Sequence, residues 1–182
     1  MEKLSHIETE TLVKKSQKGH TKSQYTLYKH YSDAMFYVCF HLLQNTTDAE
    51  EVLQDSFIQA FEKLHQLKEP TNFGIWLKRI TINKSLNFLR KNKLHFLELS
   101  LDIPEEIESE DIYTLDHEII NKAVKMLPVA CRTVLNLYLL NGYKHKEIAD
   151  LLNISISTSK SQYARAKHLL KESLKERMNH DR

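Results

Sequence analysis

The sequence predicts an all-α protein built from two small helical domains. Two observations carry that expectation: the 182 residues include only 3 Gly and 3 Pro, and apolar residues recur at helical spacing with no sustained strand-like alternation. A third observation divides the helices into two groups. The stretch from Leu94 to Asn121 contains none of the 26 Lys and Arg, yet it holds nine of the 24 acidic residues, from Glu98 to Glu118. Charge repulsion and Pro104 make an acidic linker of 95–114, between a first domain at 1–94 and a second at 115–182. The formal net charge of +2 thus conceals a basic excess on both sides of an acidic tether, a field suited to nucleic acid.

Four helices fill the first domain, at about Glu8 to Lys18, Lys22 to Leu43, Asp48 to Leu67 and Phe73 to Lys91. The third opens on Thr47, Asp48, Ala49 and Glu50, a capping box in which hydroxyl and carboxylate satisfy first-turn amides, and "KEPTN" stops it. Its inward positions are Ala49, Leu53, Phe57, Ala60, Phe61 and Leu64, which leaves Glu51, Gln54, Asp55, Ile58 and Glu62 outside. An exposed Ile ringed by acids fits a protein docking site, although a single exposed Ile is also ordinary surface. The fourth helix projects Leu77, Thr81, Ile82, Ser85, Leu86, Phe88 and Leu89 to one side and Trp76, Arg79, Ile80, Asn83, Asn87 and Arg90 to the other. Amides read base edges, an aromatic stacks on an unpaired base and Arg holds phosphate, which is the chemistry of single-strand capture. The same pattern also fits a Trp tucked against a neighbouring helix with a solvated basic rim.

The second domain reads as four shorter helices, at about Leu115 to Met126, Pro128 to Leu140, Lys144 to Leu152 and Ser157 to Arg177. Pro128 suits a first helical turn, and Asn141 with Gly142 suits a stop. In the run "NISISTS" Asn153 can end one helix and Ser155 or Ser157 can cap the next, which makes a tight corner. Beyond it Ser159, Tyr163, Ala166 and Leu170 face inward, leaving Lys160, Ser161, Ala164, Arg165 and His168 outward. This is a helix-turn-helix whose second helix fits a DNA major groove: Arg and Lys donate to guanine or phosphate, Ser does either, and Ala164 permits close approach. An ordinary basic helical hairpin is the alternative.

Other classes are excluded. Cys39 and Cys131 sit far apart in apolar helical patterns, as buried thiols of a reducing compartment do, and the ten His lack ligand spacing, so no metal is expected. No Gly-rich phosphate loop and no nucleophile with a base stand out, which argues against an enzyme or a cofactor. "MEKLSHIETE" has no signal-peptide core and "MFYVCF" is too short to span a bilayer, so a cytoplasmic protein without membrane insertion is expected.

Three blocks in order, "DAEEVLQDSFIQAFEKL", "FGIWLKRITINKSLNFLRK" and "LPVACRTVLNLYLLNGYKHKEIADLLNISISTSKSQYARAKHLL", resemble the two conserved regions of the small bacterial sigma factors of the extracytoplasmic function group. The resemblance implies a transcription initiation factor whose domains correspond to sigma regions 2 and 4, and whose partners are core RNA polymerase and promoter DNA. It implies that Glu51, Gln54, Asp55 and Ile58 dock on the clamp helices of the beta prime subunit. The loop "HQLKEPTN" and the helix bearing Trp76, Asn83, Asn87 and Arg90 would then open and hold the minus-ten element. Lys160, Ser161, Ala164 and Arg165 would read the minus-thirty-five element from a helix-turn-helix seated on the beta flap, with the linker threading toward the polymerase active centre. An anti-sigma factor is compatible as a further partner. Ser159 and Gln162 depart from the family pattern, which has an aliphatic residue and Arg at those places. The rival reading is an autonomous helix-turn-helix regulator that binds duplex operator DNA without polymerase.

Overall fold

The computed structural model describes residues 5–91 and 117–180; the acidic linker expected at 95–114 lies outside them. Among the described residues the regular elements are all helical: α1 (His6–Gln17), α2 (Thr21–Leu43), α3 (Thr46–Glu62), α4 (Phe73–Lys91), α5 (His117–Met126), α6 (Val129–Leu135), α7 (His145–Leu152) and α8 (Ile156–His180). Short 3-10 turns at Leu64–Gln66 and Pro70–Asn72 join α3 to α4, and a π-helical segment, Asn136–Leu140, extends α6. The chain divides into two compact units between Lys93 and Leu94.

In the first unit α2, α3 and α4 pack on one another and α1 packs on α2. Leu27, Cys39, Leu42, Phe57, Leu77, Ile82 and Leu86 close the core. Three buried hydroxyls, on Ser56, Thr81 and Ser85, donate to the carbonyl one turn earlier, at 2.6, 3.0 and 2.9 Å, so their burial leaves no donor unmade. Gly74 lies against Tyr31: a Cβ there would stand 2.9 Å from the ring, so a bare Cα lets the start of α4 approach α2.

The caps differ from expectation. α1 starts at His6, ahead of Glu8, on a capping box in which the Glu8 amide donates to Ser5 Oγ (3.2 Å) and the Ser5 amide to the Glu8 carboxylate (2.8 Å). The box expected at Thr47 to Glu50 is not used. Gln44 ends α2 in the left-handed region (φ 57°), so the next residue, Asn45, must open α3; its Oδ1 accepts from the Asp48 amide at 3.1 Å. Asn is a better N-cap than Thr, and its use places Thr47 inside the helix. α3 also stops at Glu62 rather than Leu67, its last residues tightening into the 3-10 turn.

In the second unit α5, α6 and α7 each pack on α8. Leu127, Cys131, Leu135 and Ala166 form a cluster with Val124, Tyr163, Leu169 and Leu170 packed on it. Arg132 is buried, and its Nη1 donates to the Lys125 and Leu127 carbonyls at 3.0 and 3.2 Å, which closes the end of α5. The single helix expected from Pro128 to Leu140 changes pitch at Asn136, because the Asn141 amide and its Nδ2 both donate to the Asn136 carbonyl, at 3.1 and 3.0 Å. Gly142, at φ 75°, then turns the chain toward α7.

Candidate nucleic-acid interface

The first candidate surface lies between α3 and α4. Successive turns of α4 carry Asn83, Asn87 and Arg90 on its exposed side, and α3 brings Glu51 and Asp55 up to them. These residues, with Gln59, Ile80, Lys84, Phe88 and Lys91, line an open groove of about 560 Å³. Lys84 Nζ stands 3.2 Å from Asp55 Oδ2 across the groove. Arg90 Nη1 donates to Asn87 Oδ1 at 2.8 Å; because guanidinium only donates, the bond fixes the Asn87 amide with its nitrogen as the edge left to donate. Trp76 does not line the groove. It is half-buried, its ring 6.2 Å from that of Phe73.

The outward arc of α3 is a ridge between two depressions. Glu51 and Asp55 face the α4 groove, while Gln54 borders a shallower cleft with Tyr28, Ser32, Asp33 and Phe36 of α2. Ile58 keeps 58% of its surface exposed, an apolar side chain on a polar ridge. Sequence projection separates the faces of α3 and α4 but cannot show that Glu51 and Asp55 share a groove with Asn83 and Asn87. Nor does it find Lys84, Gln59 or Lys91. Phe88, grouped with the apolar side of α4 by projection, is half-buried and lines the groove.

The second surface is the α7–α8 corner. Asn153 ends α7 in the left-handed region (φ 55°), and Ser155 Oγ accepts from the Thr158 amide at 2.9 Å, which caps α8. Lys160 and His168 are exposed, whereas Ser161, Ala164 and Arg165 are half-buried. Ser161 Oγ donates to its own helix at the Thr158 carbonyl, 3.0 Å away. Arg165 lies on the flank toward α6, where its charge draws the Cys131 thiol pKa down while burial, the larger effect, pushes it up.

The inner face of α8 is more polar than the sequence suggests. Ser159 is 0% exposed and its Oγ sits 2.9 Å from His145 Nδ1 of α7. The His145 ring stacks on Tyr138 with centroids 4.6 Å apart and meets Tyr163 edge-on at 5.6 Å. Burial, with Lys160 adding to it, holds His145 below the ordinary histidine range. Gln162, which stands where the family pattern has Arg, is only 4% exposed and accepts from Cys131 Sγ at 3.0 Å. It therefore packs α8 onto α6 and is not presented to a ligand. Cys39 is likewise buried, its thiol pushed up to about 11, so neither cysteine has the thiolate character of a reactive residue. Among the described residues no group of three potential metal ligands gathers, and no helix is long and apolar enough to cross a membrane.

Two helical units, one with an amide- and cation-lined groove and the other with a capped helix-turn-helix, define a DNA-binding protein. The family model for sigma-70 region 2 matches residues 27–95, and the model for sigma-70 region 4 matches residues 117–170. The chain is similar to the extracytoplasmic function sigma factor SigW of Bacillus subtilis, 25% identical over 178 residues, covering 90% of this chain and 95% of the relative. It is also similar to the RNA polymerase sigma-H factor of Pseudomonas aeruginosa, 24% identical over 94% of this chain and 96% of that one. Among solved structures, the sigma factor RpoE of Bartonella quintana, in complex with the anti-sigma factor NepR, has the same fold (TM-score 0.56, 24% identity, 82% of this chain and 95% of that chain). So does CnrH in complex with the cytosolic domain of CnrY (TM-score 0.55, 21% identity, 92% and 97%). The chain belongs to the sigma-70 family, in its extracytoplasmic function group. Sigma factors direct RNA polymerase to promoters and are transcription factors, not enzymes.

Proposed function

We propose that this chain joins core RNA polymerase through the α3 ridge and reads two promoter elements, one with each unit. The supporting observation is the α3–α4 groove: Asn83, Asn87 and Arg90 offer donors and a cation on one wall and Glu51 and Asp55 stand on the other, with the exposed Ile58 on the ridge of α3. Unpaired bases expose their full hydrogen-bonding edges to amides, and the phosphates of the same strand lie within reach of a neighbouring cation. In this reading the residues at 1–94 dock on the beta prime clamp helices and hold the minus-ten strand. The helix-turn-helix within 115–182 reads the minus-thirty-five element through Lys160, Ser161, Ala164 and Arg165 beside the beta flap, and the acidic residues at 95–114 link the two. Half-buried Trp76 borders the strand through its exposed edge. The cytoplasm, where the polymerase works, is the site of action, and an anti-sigma factor that covers these surfaces is a natural restraint.

An autonomous regulator would need only the helix-turn-helix and leaves the groove of the first unit without a task. Run-off transcription separates the two. Core polymerase supplemented with this chain should initiate at specific genomic start sites and core alone should not; tight binding of the free chain to duplex operator, with no gain in initiation, would favour the regulator.

A further inference from the structure

The loop between α3 and α4 stands on three buried side chains, Leu64, Leu67 and Phe73, and presents His65, Gln66, Lys68, Glu69, Thr71 and Asn72 to solvent. Between the first two anchors the chain makes a single 3-10 turn, closed by Gln66 N to the Lys63 carbonyl (2.9 Å) and Leu67 N to the Leu64 carbonyl (3.1 Å). One such turn has little cohesion of its own. A side chain from far back in the sequence supplies more. Gln17, at the last residue of α1, donates from Nε2 to the Leu64 carbonyl at 3.0 Å and to the Leu67 carbonyl at 3.2 Å. Both hydrogens of one amide nitrogen are thus engaged by the two carbonyls that bracket the turn. α1 has its own capping box at Ser5 and Glu8 and packs on α2 through buried Val13, so the donor is presented from a fixed element. α1 also lies wholly outside the segment matched by the region 2 family model, which begins at residue 27.

We propose that Gln17 is a positioning residue for DNA opening: it clamps the 64–67 turn so that the exposed loop is ordered before the unpaired strand arrives. The inference rests on the reading of the loop and α4 as the minus-ten strand site. A loop that must first be ordered subtracts that ordering entropy from the affinity for its ligand, and a clamp made in advance removes the cost. The donor chemistry is specific. A glutamate of the same shape cannot donate and would set its oxygens against two carbonyl oxygens, while methionine fills the space without either bond.

The test uses the full chain with core polymerase and compares wild type, Gln17→Met, Gln17→Glu and Asn83→Ala. Four quantities are measured: affinity for core, open complex on a duplex promoter, open complex on a template pre-melted at the minus-ten element, and hydrogen exchange of the amides at 64–72. Both Gln17 variants should lose about tenfold in open complex on duplex DNA, the ratio expected for one or two lost hydrogen bonds, and should recover in part on the pre-melted template. Their affinity for core should stay at the wild-type level, and exchange should accelerate at 64–72 but not in α2 or α4. Wild-type open complex in Gln17→Glu, with Asn83→Ala impaired, would overturn the clamp and leave the strand-site reading standing. Wild-type behaviour of all three variants would overturn both. Loss of core affinity in step with open complex would also overturn the inference, since Gln17 would then act only in folding the unit.

Discussion

The two units hold their candidate DNA-binding residues by different means. In the first, the surface is assembled from two helices, and the core beneath it is closed by apolar residues and by hydroxyls bonded within their own helices. In the second, the surface sits on one helix, and polar atoms hold that helix in place: Ser159 to His145 and Gln162 to Cys131. The difference teaches where binding and folding can be separated. Asn83, Asn87 and Ile58 are exposed and stand apart from their core, so changing them should leave the fold intact, whereas changes at the inner polar positions of α8 should shift that helix itself.

The strongest way to break this contrast is through the cores. Leu77→Ala removes a fully buried side chain from the first unit and should cost about 2–5 kcal/mol, read by urea unfolding, while Gln162→Ala in the second should cost less because Cys131 is only a weak donor. Equal losses would mean the second unit depends on that polar tie more than its geometry suggests. Next in size is docking. Asp55→Lys with Ile58→Ala should weaken core-polymerase affinity by about 2 kcal/mol or more with the helical circular dichroism unchanged, and an unchanged affinity would remove the ridge from the interface.

Recognition by α8 follows. Arg165→Ala should cost about 1–3 kcal/mol and relax preference at one or two upstream promoter positions, while Lys160→Ala weakens binding to all sequences alike. Ser159→Ala should then cost the second unit about 0.5–1.5 kcal/mol, the worth of one hydrogen bond. His145 adds a pH dependence of defined sign. Its folded pKa lies below the ordinary 6.5, so the folded state binds fewer protons than the unfolded one; its contribution is present above 6.5 and is lost as pH falls through the folded value. The unfolding temperature of the second unit should decline over that window and decline less in His145→Phe. The smallest effect belongs to the groove ion pair. Lys84 and Asp55 are both partly solvated, so a double-mutant cycle should return about 0.2–1 kcal/mol.

Much of this architecture is legible in the sequence because helices announce themselves locally. The bounds of α4, Phe73–Lys91, follow from periodicity, and the Asn153 stop between α7 and α8 follows from its residue type. What escapes is whatever depends on a neighbour distant in sequence. Periodicity gives an angle around one helix axis but not the partner that waits at that angle: Gln162 lies one turn from both Ser159 and Ala166, and only the approach of Cys131 on α6 shows what its side chain bonds. Phe88, on the apolar side of α4, is half-buried in the groove that α3 and α4 form together, which the periodicity of one helix does not show. Lys84 meets Asp55 across 29 residues of sequence, and Asn45 displaces Thr47 as a cap because Gln44 has already turned the chain. The helix-turn-helix is easier to read than the groove for the same reason: its site needs one helix, and the groove needs two.

The division of labour between the units is tested most directly by transcription from a promoter library randomised at both elements, with core polymerase and wild type, Asn83→Ala with Asn87→Ala, or Arg165→Ala. The groove variant should lose activity and relax selection at the minus-ten element, with the minus-thirty-five preference kept. Arg165→Ala should relax selection at the minus-thirty-five element alone. If either variant altered preference at the other unit's element, or if neither altered any, the assignment of one promoter element to each unit would be contradicted.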